Sequence, residues 1–95
     1  MDNQEQAKLH QEVSQSNKAK TLLDDPLLKE SFDKLKNLYT TSLLNTGANE
    51  VDTREKLWLA YQVVSKVEQN LIEILDTGKL ASKQLEDFRT SIKRK

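Results

Sequence analysis

Apolar residues recur at helical spacing in the middle of the chain. Within residues 26–45 they return every three or four positions, a period that places them on one face of an α-helix. The positions are Leu28, Phe32, Leu35, Tyr39 and Leu43. Asp25 and Pro26 mark the start, because aspartate accepts hydrogen bonds from free helix amides and proline has no amide hydrogen to leave unpaired. The pattern therefore predicts a helix over residues 26–45.

A second and longer apolar stripe follows a polar loop at residues 45–50. Its members are spaced 3, 4, 3, 4 and 3 residues apart, which is the heptad pattern of a helix that packs against another helix. They are Leu57, Ala60, Val64, Val67, Leu71 and Ile74. Asp52, with Glu55 three residues later, is typical of a helix start. We predict a helix over residues 53–77, antiparallel to the first because the loop is short.

The dipeptide Thr77-Gly78 predicts the end of that helix, because glycine commonly closes helices. Apolar residues then recur at spacings of 4, 3 and 4, which predicts a shorter helix over residues 80–93. They are Ala81, Leu85, Phe88 and Ile92. The expected fold is all-α: an antiparallel helical hairpin plus a shorter C-terminal helix, which together form a three-helix bundle over residues 21–95.

The first twenty residues are polar and form a separate segment. Leu9 and Val13 are four residues apart, but no bulky apolar residue extends this thin stripe. Segments with so little to bury tend to fray or stay unfolded. We therefore predict that residues 1–20 form a polar N-terminal arm, either a frayed helix or disordered.

Composition narrows the class of protein. The chain has 95 residues, of which 36% are hydrophobic and 32% charged, and it contains no cysteine. The absence of cysteine excludes a disulfide scaffold, a cysteine-ligated metal site and a cysteine nucleophile. No apolar run approaches the ~20 residues of a membrane span, and no charged-then-apolar leader opens the chain. We therefore expect neither a transmembrane nor a secreted protein, and no membrane partner.

The sequence lacks the residue combinations that form catalytic sites in enzymes. His10 is the only histidine and lies in the polar arm, with no second ligand or base beside it. The two glycines, Gly47 and Gly78, do not belong to a phosphate-binding loop. Serine and threonine residues have no nucleophile-elbow context. We predict a protein that is not an enzyme, with no catalytic, cofactor-binding or metal-binding residue and no small-molecule substrate.

The predicted helix over residues 53–77 has more apolar surface than its neighbours would cover. This excess favours docking on a second copy or on another protein, while the alternative is a monomeric bundle that seals the helix on both sides. The candidate interface residues lie near its start: Arg54, Leu57, Trp58, Tyr61 and Val64. An exposed cluster of Trp, Tyr and Arg is typical of an interface hot spot. The alternative is that Trp58 packs under the preceding loop.

Charge is balanced overall but uneven along the chain. The formal net charge is zero, with 15 basic and 15 acidic residues, yet residues 79–95 carry six bases and two acids. These bases are candidates for nucleic-acid contact, since lysine and arginine release phosphate counterions on binding. They are Lys79, Lys83, Arg89, Lys93, Arg94 and Lys95. The alternative is that they complement the dipole at a helix C-terminus.

A set of short motifs is distributed over residues 22–85. It consists of LLDDPLL at 22–28, Phe32, Tyr39, REKLW at 54–58 and DTGKLA at 76–81. With these motifs the chain resembles a family of short, helical, uncharacterised proteins encoded by tailed bacteriophages. The resemblance implies a phage origin and a place among virion-assembly or DNA-packaging genes, and it carries over no functional site.

Together these observations lead to an expected function. We expect a non-enzymatic small phage protein that acts by protein–protein contact, in virion assembly or as a minor virion component. Its partner would be itself, as a homo-oligomer, or another phage protein, and its location the host cytoplasm during infection or the virion. The alternative is a small nucleic-acid-binding protein, for DNA packaging or regulation, that uses the basic C-terminal helix. The residues do not separate these roles from that of an inhibitor or adaptor of a host enzyme.

Overall fold

The chain is all-α, as its sequence predicts. The computed structural model describes residues 1–93, which form α1 (Asn3–Asp24), α2 (Pro26–Leu44) and α3 (Val51–Lys93). No strand occurs within these residues. Two of the candidate nucleic-acid contacts, Arg94 and Lys95, lie outside the described residues, as does the side chain of Lys93.

Helix α2 forms within one residue of its predicted bounds. Asp25 precedes it in an extended conformation, with φ −71° and ψ 117°. The Asp25 carboxylate accepts hydrogen bonds from the backbone N–H groups of Leu27 and Leu28, at 2.9 and 3.3 Å. These bonds satisfy two of the amides that a helix start leaves without a backbone partner, and Pro26 removes a third. The predicted start of this helix is confirmed.

Residues 3–24 form a helix, so of the two alternatives predicted for residues 1–20, a frayed helix or a disordered arm, the structure has the helix. Asp2 caps this helix, since its carboxylate accepts the Glu5 N–H at 2.7 Å. The packing of α1 depends on small side chains, which add little to a hydrophobic pattern. Ser16 and Ala19 are both buried, and Ser16 lies directly against Gly78.

Helix α3 is a single helix of 43 residues, so the predicted end at Thr77-Gly78 and the separate helix over residues 80–93 are wrong. Residues 80–93 are helical, but they continue α3 without a break. Gly78 is buried inside the helix, where a Cβ atom would overlap the side chain of Ser16. A glycine within a helix costs about 1 kcal/mol relative to alanine. The close approach of α1 to α3 requires a glycine at this position. From the sequence alone, the same glycine predicts a helix end.

The start of α3 also differs from the prediction. The helix begins at Val51, two residues before the predicted position, and the N–H of Arg54 bonds to the Glu50 carbonyl at 3.0 Å. Asp52 therefore lies in the first turn and does not cap the helix. Its negative charge still suits the positive end of the helix dipole.

Two compact units make up the chain. The terminal unit combines Met1–Leu23 with Leu71–Lys95, and the hairpin unit consists of Asp24–Asn70. The hairpin unit contains α2, the loop at residues 45–50 and the first part of α3. This is the antiparallel helical hairpin that the spacing and the short loop predict.

In the terminal unit, α1 runs antiparallel to the second part of α3. His10 shares a shallow groove with Phe88, whereas Ser16 donates its hydroxyl hydrogen to the Leu75 carbonyl at 3.0 Å. Burial is limited throughout the described residues. Ala19 and Ala81 are the buried apolar side chains there, and no large side chain is fully enclosed.

Candidate protein-interaction surface

An ion pair fixes which faces of α2 and α3 meet in the hairpin unit. The Lys36 ammonium donates a hydrogen bond to Glu68 Oε1 at 2.9 Å, and Asp33 Oδ1 lies 4.0 Å from the same nitrogen. Both side chains of the Lys36–Glu68 pair are about three-quarters shielded from solvent. The hydrogen bond to Glu68 raises the pKa of Lys36 above its ordinary value, and the nearby carboxylate charges act in the same direction. The pair therefore marks the inward face of each helix.

The inward face of the hairpin is apolar around this pair. On α3, Val64 and Leu57 lie four and eleven residues before Glu68, which places them on the same face. On α2, Phe32 and Tyr39 lie four residues before and three residues after Lys36. All four of these apolar side chains are half-buried. Two helices alone thus shield their shared face only in part.

A second apolar surface of the hairpin unit is open to solvent. Six leucine and valine residues expose between 39% and 73% of their surface. They are Leu27, Leu35 and Leu38 on α2, and Leu59, Val63 and Val67 on α3. We call this surface the open face. Its α3 row has a strict four-residue spacing, which keeps the three side chains on one side of the helix.

The two rows of the open face lie on the same side of the hairpin. An α-helix turns by about 100° per residue. On α3, the row of Leu59, Val63 and Val67 is rotated from the inward face in one sense. On α2, the side chains of Leu27 and Leu38 are rotated from the inward face in the same sense. In an antiparallel pair, equal senses of rotation lead to the same side. The two rows therefore belong to one apolar surface that spans both helices of the unit.

Polar residues border the α3 row of the open face. A shallow groove runs along it and is lined by Leu59, Gln62, Val63, Lys66, Val67 and Asn70. Charged side chains of both signs surround the whole surface and are exposed to solvent. They are Glu30 and Lys34 on α2, and Asp52, Glu55, Lys56 and Lys66 on α3. An apolar centre with a polar, charged rim is the usual anatomy of a protein interface.

The interface residues predicted from the sequence fall into two groups, one that faces α2 and one at the loop end of the hairpin. Leu57 and Val64 point toward α2 and are half-buried. The Arg54 guanidinium donates to the backbone carbonyls of Gly47 and Ala48, at 3.1 and 3.4 Å, and so holds the loop.

Trp58 and Tyr61 stack on each other, with ring centroids 5.8 Å apart and planes 9° from parallel. Trp58 is half-exposed, and it lines a shallow pocket at the loop end together with Arg54, Leu43 and Val51. This stacked pair lies on the flank of the hairpin opposite to the open face, since Trp58 is rotated from the inward face in the other sense. The structure thus places Arg54 with Trp58 at one pocket and Trp58 with Tyr61 in one stack, while Leu57 and Val64 face α2.

The open face was not predicted from the sequence, because the candidate interface was placed at the strongest apolar stripe of α3. The heptad stripe through Leu57 and Val64 proved to be the inward face of the hairpin. A second row, Leu59, Val63 and Val67, was present in the sequence at a constant spacing of four. A search for two stripes on one helix would have found it, because a helix that is apolar on two sides packs against two neighbours.

The basic residues near the C-terminus do not form a single row. Lys79 and Lys83 are four residues apart and exposed on one face of α3. Arg89 is exposed about a third of a turn away, where it lines the groove that also holds His10 and Phe88. Lys93, Arg94 and Lys95 have no described side chains.

In residues 1–93, no group of three or more potential metal ligands comes together. No helix in the same residues combines the length and the apolar character needed to cross a membrane. No family model, no curated protein and no solved structure matches the chain.

Proposed function

We propose that the protein acts by protein–protein contact and that the open face of the hairpin unit is its contact surface. The observation that supports this proposal is the placement of six exposed leucine and valine residues on one side of a single unit. A contiguous apolar surface of this kind often marks an interaction site, because each Å² of apolar area left in water forgoes about 25 cal/mol of burial free energy. The proposal assigns no catalytic residue, cofactor or metal.

The size of the open face agrees with such a role. If an extended leucine or valine has roughly 200 Å² of surface, the six residues expose an area on the order of 600 Å². This matches the largest patches of ordinary monomers, which are themselves often functional.

The proposed setting is virion assembly in a bacteriophage, with the protein in the host cytoplasm during infection or retained as a minor virion component. This setting rests on the sequence motifs at residues 22–85, which resemble helical proteins of tailed phages, and no family model or curated relative adds to it. Assembly proteins act by contact, so an apolar docking surface on a small helical unit suits this setting.

Site-specific photo-crosslinking in the cells that naturally produce the protein tests the proposal. A photoreactive amino acid replaces Val63 in the open face, and a matched control carries it at Gln69, which is exposed on the opposite flank of α3. We expect a crosslink from position 63 to a protein chain, this one or another, and none from position 69. Equal crosslinking at the two positions, or none at either, would contradict the proposal. A crosslinked capsid, portal or other assembly protein would in addition support the phage setting.

A second candidate function is nucleic-acid binding through the basic end of α3. The observation that favours it is the exposed pair Lys79 and Lys83 in a segment with a surplus of four positive charges. Lysine contacts to phosphate predict binding that weakens steeply with salt. Gel shifts at low and moderate salt test this candidate.

A further inference from the structure

We propose that the occupant of the open face is a second copy of this chain, so that two hairpin units pack face to face as a four-helix dimer. This inference rests on the proposed function and names the partner. In such a dimer a twofold axis would pass near Leu38 and Val63. Val63 is the middle member of its row, Leu38 is the member of the α2 row nearest the loop, and the antiparallel register brings them to a similar height along the hairpin.

The incomplete interior of the hairpin is the first argument. Four-helix bundles bury their apolar positions between two helix pairs. Here one pair is present, and its inward-facing side chains, such as Leu57 and Val64, are only half-buried. The open face, on the flank of the same helix pair, is the surface on which a second helix pair would pack. An identical hairpin carries the same two rows, so each copy would cover the exposed leucines and valines of the other.

The area is the second argument. Two open faces of on the order of 600 Å² each would remove about 1,200 Å² of apolar surface from water. A specific, stable protein interface buries roughly 1,200–2,000 Å² in total. The apolar rows alone would thus bury an area at the lower limit of this range, and the charged rim would add to the buried area.

The charge of the rim is the third argument. In a twofold interface the same patch meets itself, so a rim of one sign would repel its copy. The rim of the open face carries three acids and three lysines, which are Glu30, Asp52, Glu55, Lys34, Lys56 and Lys66. On α3 two acids and Lys56 flank the beginning of the row, and Lys66 flanks its later part. Because both signs are present along the rim, the patch can meet its copy without the repulsion that a rim of one sign would cause.

Sedimentation of the full chain over a range of concentrations tests this inference. We expect a monomer–dimer equilibrium. The substitution Val63→Glu should raise the dimer dissociation constant at least tenfold, because it places two carboxylates in an apolar contact. The matched control Gln69→Glu adds the same charge to the same helix outside the open face, and it should leave the dissociation constant within twofold. Far-UV circular dichroism checks that both variants remain helical.

Thiol labelling supplies a readout that does not depend on a disruptive charge. The chain has no cysteine, so Val63→Cys and Gln69→Cys each introduce the single thiol of the protein. Labelling at position 63 should slow about tenfold as the concentration rises from well below the dissociation constant to about fiftyfold above it, while labelling at position 69 stays constant. Concentration dependence separates contact between copies from shielding within one copy.

Several results would overturn the inference. A chain that stays monomeric at millimolar concentration excludes the second copy as occupant. So does a dimer that Val63→Glu leaves intact, or one in which the thiol introduced by Val63→Cys remains fully reactive, since its interface is then elsewhere. If the pure chain is monomeric but Val63 crosslinks to a different protein in cells, this inference fails and the proposed function stands. If position 63 also gives no crosslink, both fail.

Discussion

Gly78 lies in direct contact with Ser16, and this contact brings α1 against α3 in the terminal unit. A Cβ atom added at Gly78 would overlap the Ser16 side chain and lie 2.8 Å from the Glu12 carbonyl oxygen. The Ser16 hydroxyl in turn donates to the Leu75 carbonyl, one turn before the glycine. The two helices thus approach closely through small side chains and a hydrogen bond, without a large apolar core.

Gly78→Ala should therefore destabilise the protein, although alanine is the better helix former by about 1 kcal/mol. We expect a net loss of about 1–3 kcal/mol from overpacking against Ser16. Urea unfolding monitored by circular dichroism measures it. The matched control is Gly47→Ala, because a Cβ at Gly47 meets its nearest atom, Glu50 Oε1, at 3.8 Å and Gly47 has no positive φ. That control should change stability by less than about 0.5 kcal/mol. A stabilising Gly78→Ala substitution would show that the contact is not as close as described.

The cap of α2 gives a second prediction. Asp25→Ala removes the acceptor for the Leu27 and Leu28 N–H groups and should cost about 0.5–2 kcal/mol. Asp25→Ser retains a capping oxygen and should cost much less. The same unfolding experiment compares the two variants, and equal losses would mean that the carboxylate does not act as a cap.

The Lys36–Glu68 pair gives a third prediction, through a double-mutant cycle with Lys36→Met and Glu68→Gln. Because the pair is partly shielded, we expect a coupling free energy of about 0.5–1 kcal/mol near neutral pH. Lys29→Met, at an exposed position of α2, serves as the control for loss of a lysine. An absent coupling would mean that the pair does not contribute to the register of the hairpin.

The same pair gives a pH dependence of known sign. The folded state raises the pKa of Lys36 above its ordinary value of 10.5. The pair's contribution is therefore fully present below pH 10.5, and it is lost as the pH rises through the folded pKa. The stability difference between the wild type and Glu68→Gln should stay constant from pH 7 to about 9 and shrink in strongly alkaline solution. A difference that grows with alkaline pH would contradict the assignment.

The sequence predicts the elements of the hairpin better than those of the terminal unit. Asp25-Pro26 and the apolar period locate α2 because both signals are local. The predicted helix end at Gly78 was wrong because glycine is common both at helix ends and at close helix–helix contacts. Only the position of Ser16 in the folded chain distinguishes these two roles. Helix α1 was predicted only as one of two alternatives, because its buried residues, Ser16 and Ala19, are too small to form a hydrophobic stripe.

The candidate surface was predictable only in part. An excess of apolar residues on the helix after the loop was visible in the sequence, but its strongest stripe turned out to face α2. The choice between inward and outward stripes depends on the register of the hairpin, which the Lys36–Glu68 pair marks. That long-range pairing has no local signature in the chain.

Isotope-filtered nuclear magnetic resonance can show whether two copies of the chain pack through the open face. Mixing copies with labelled leucine and valine methyl groups and unlabelled copies reveals methyl contacts between chains. We expect intermolecular contacts that link Val63 with leucines or valines of the open face on the other copy. Intermolecular contacts confined to the Trp58 flank, or none at a concentration where the chain is dimeric, would contradict this packing.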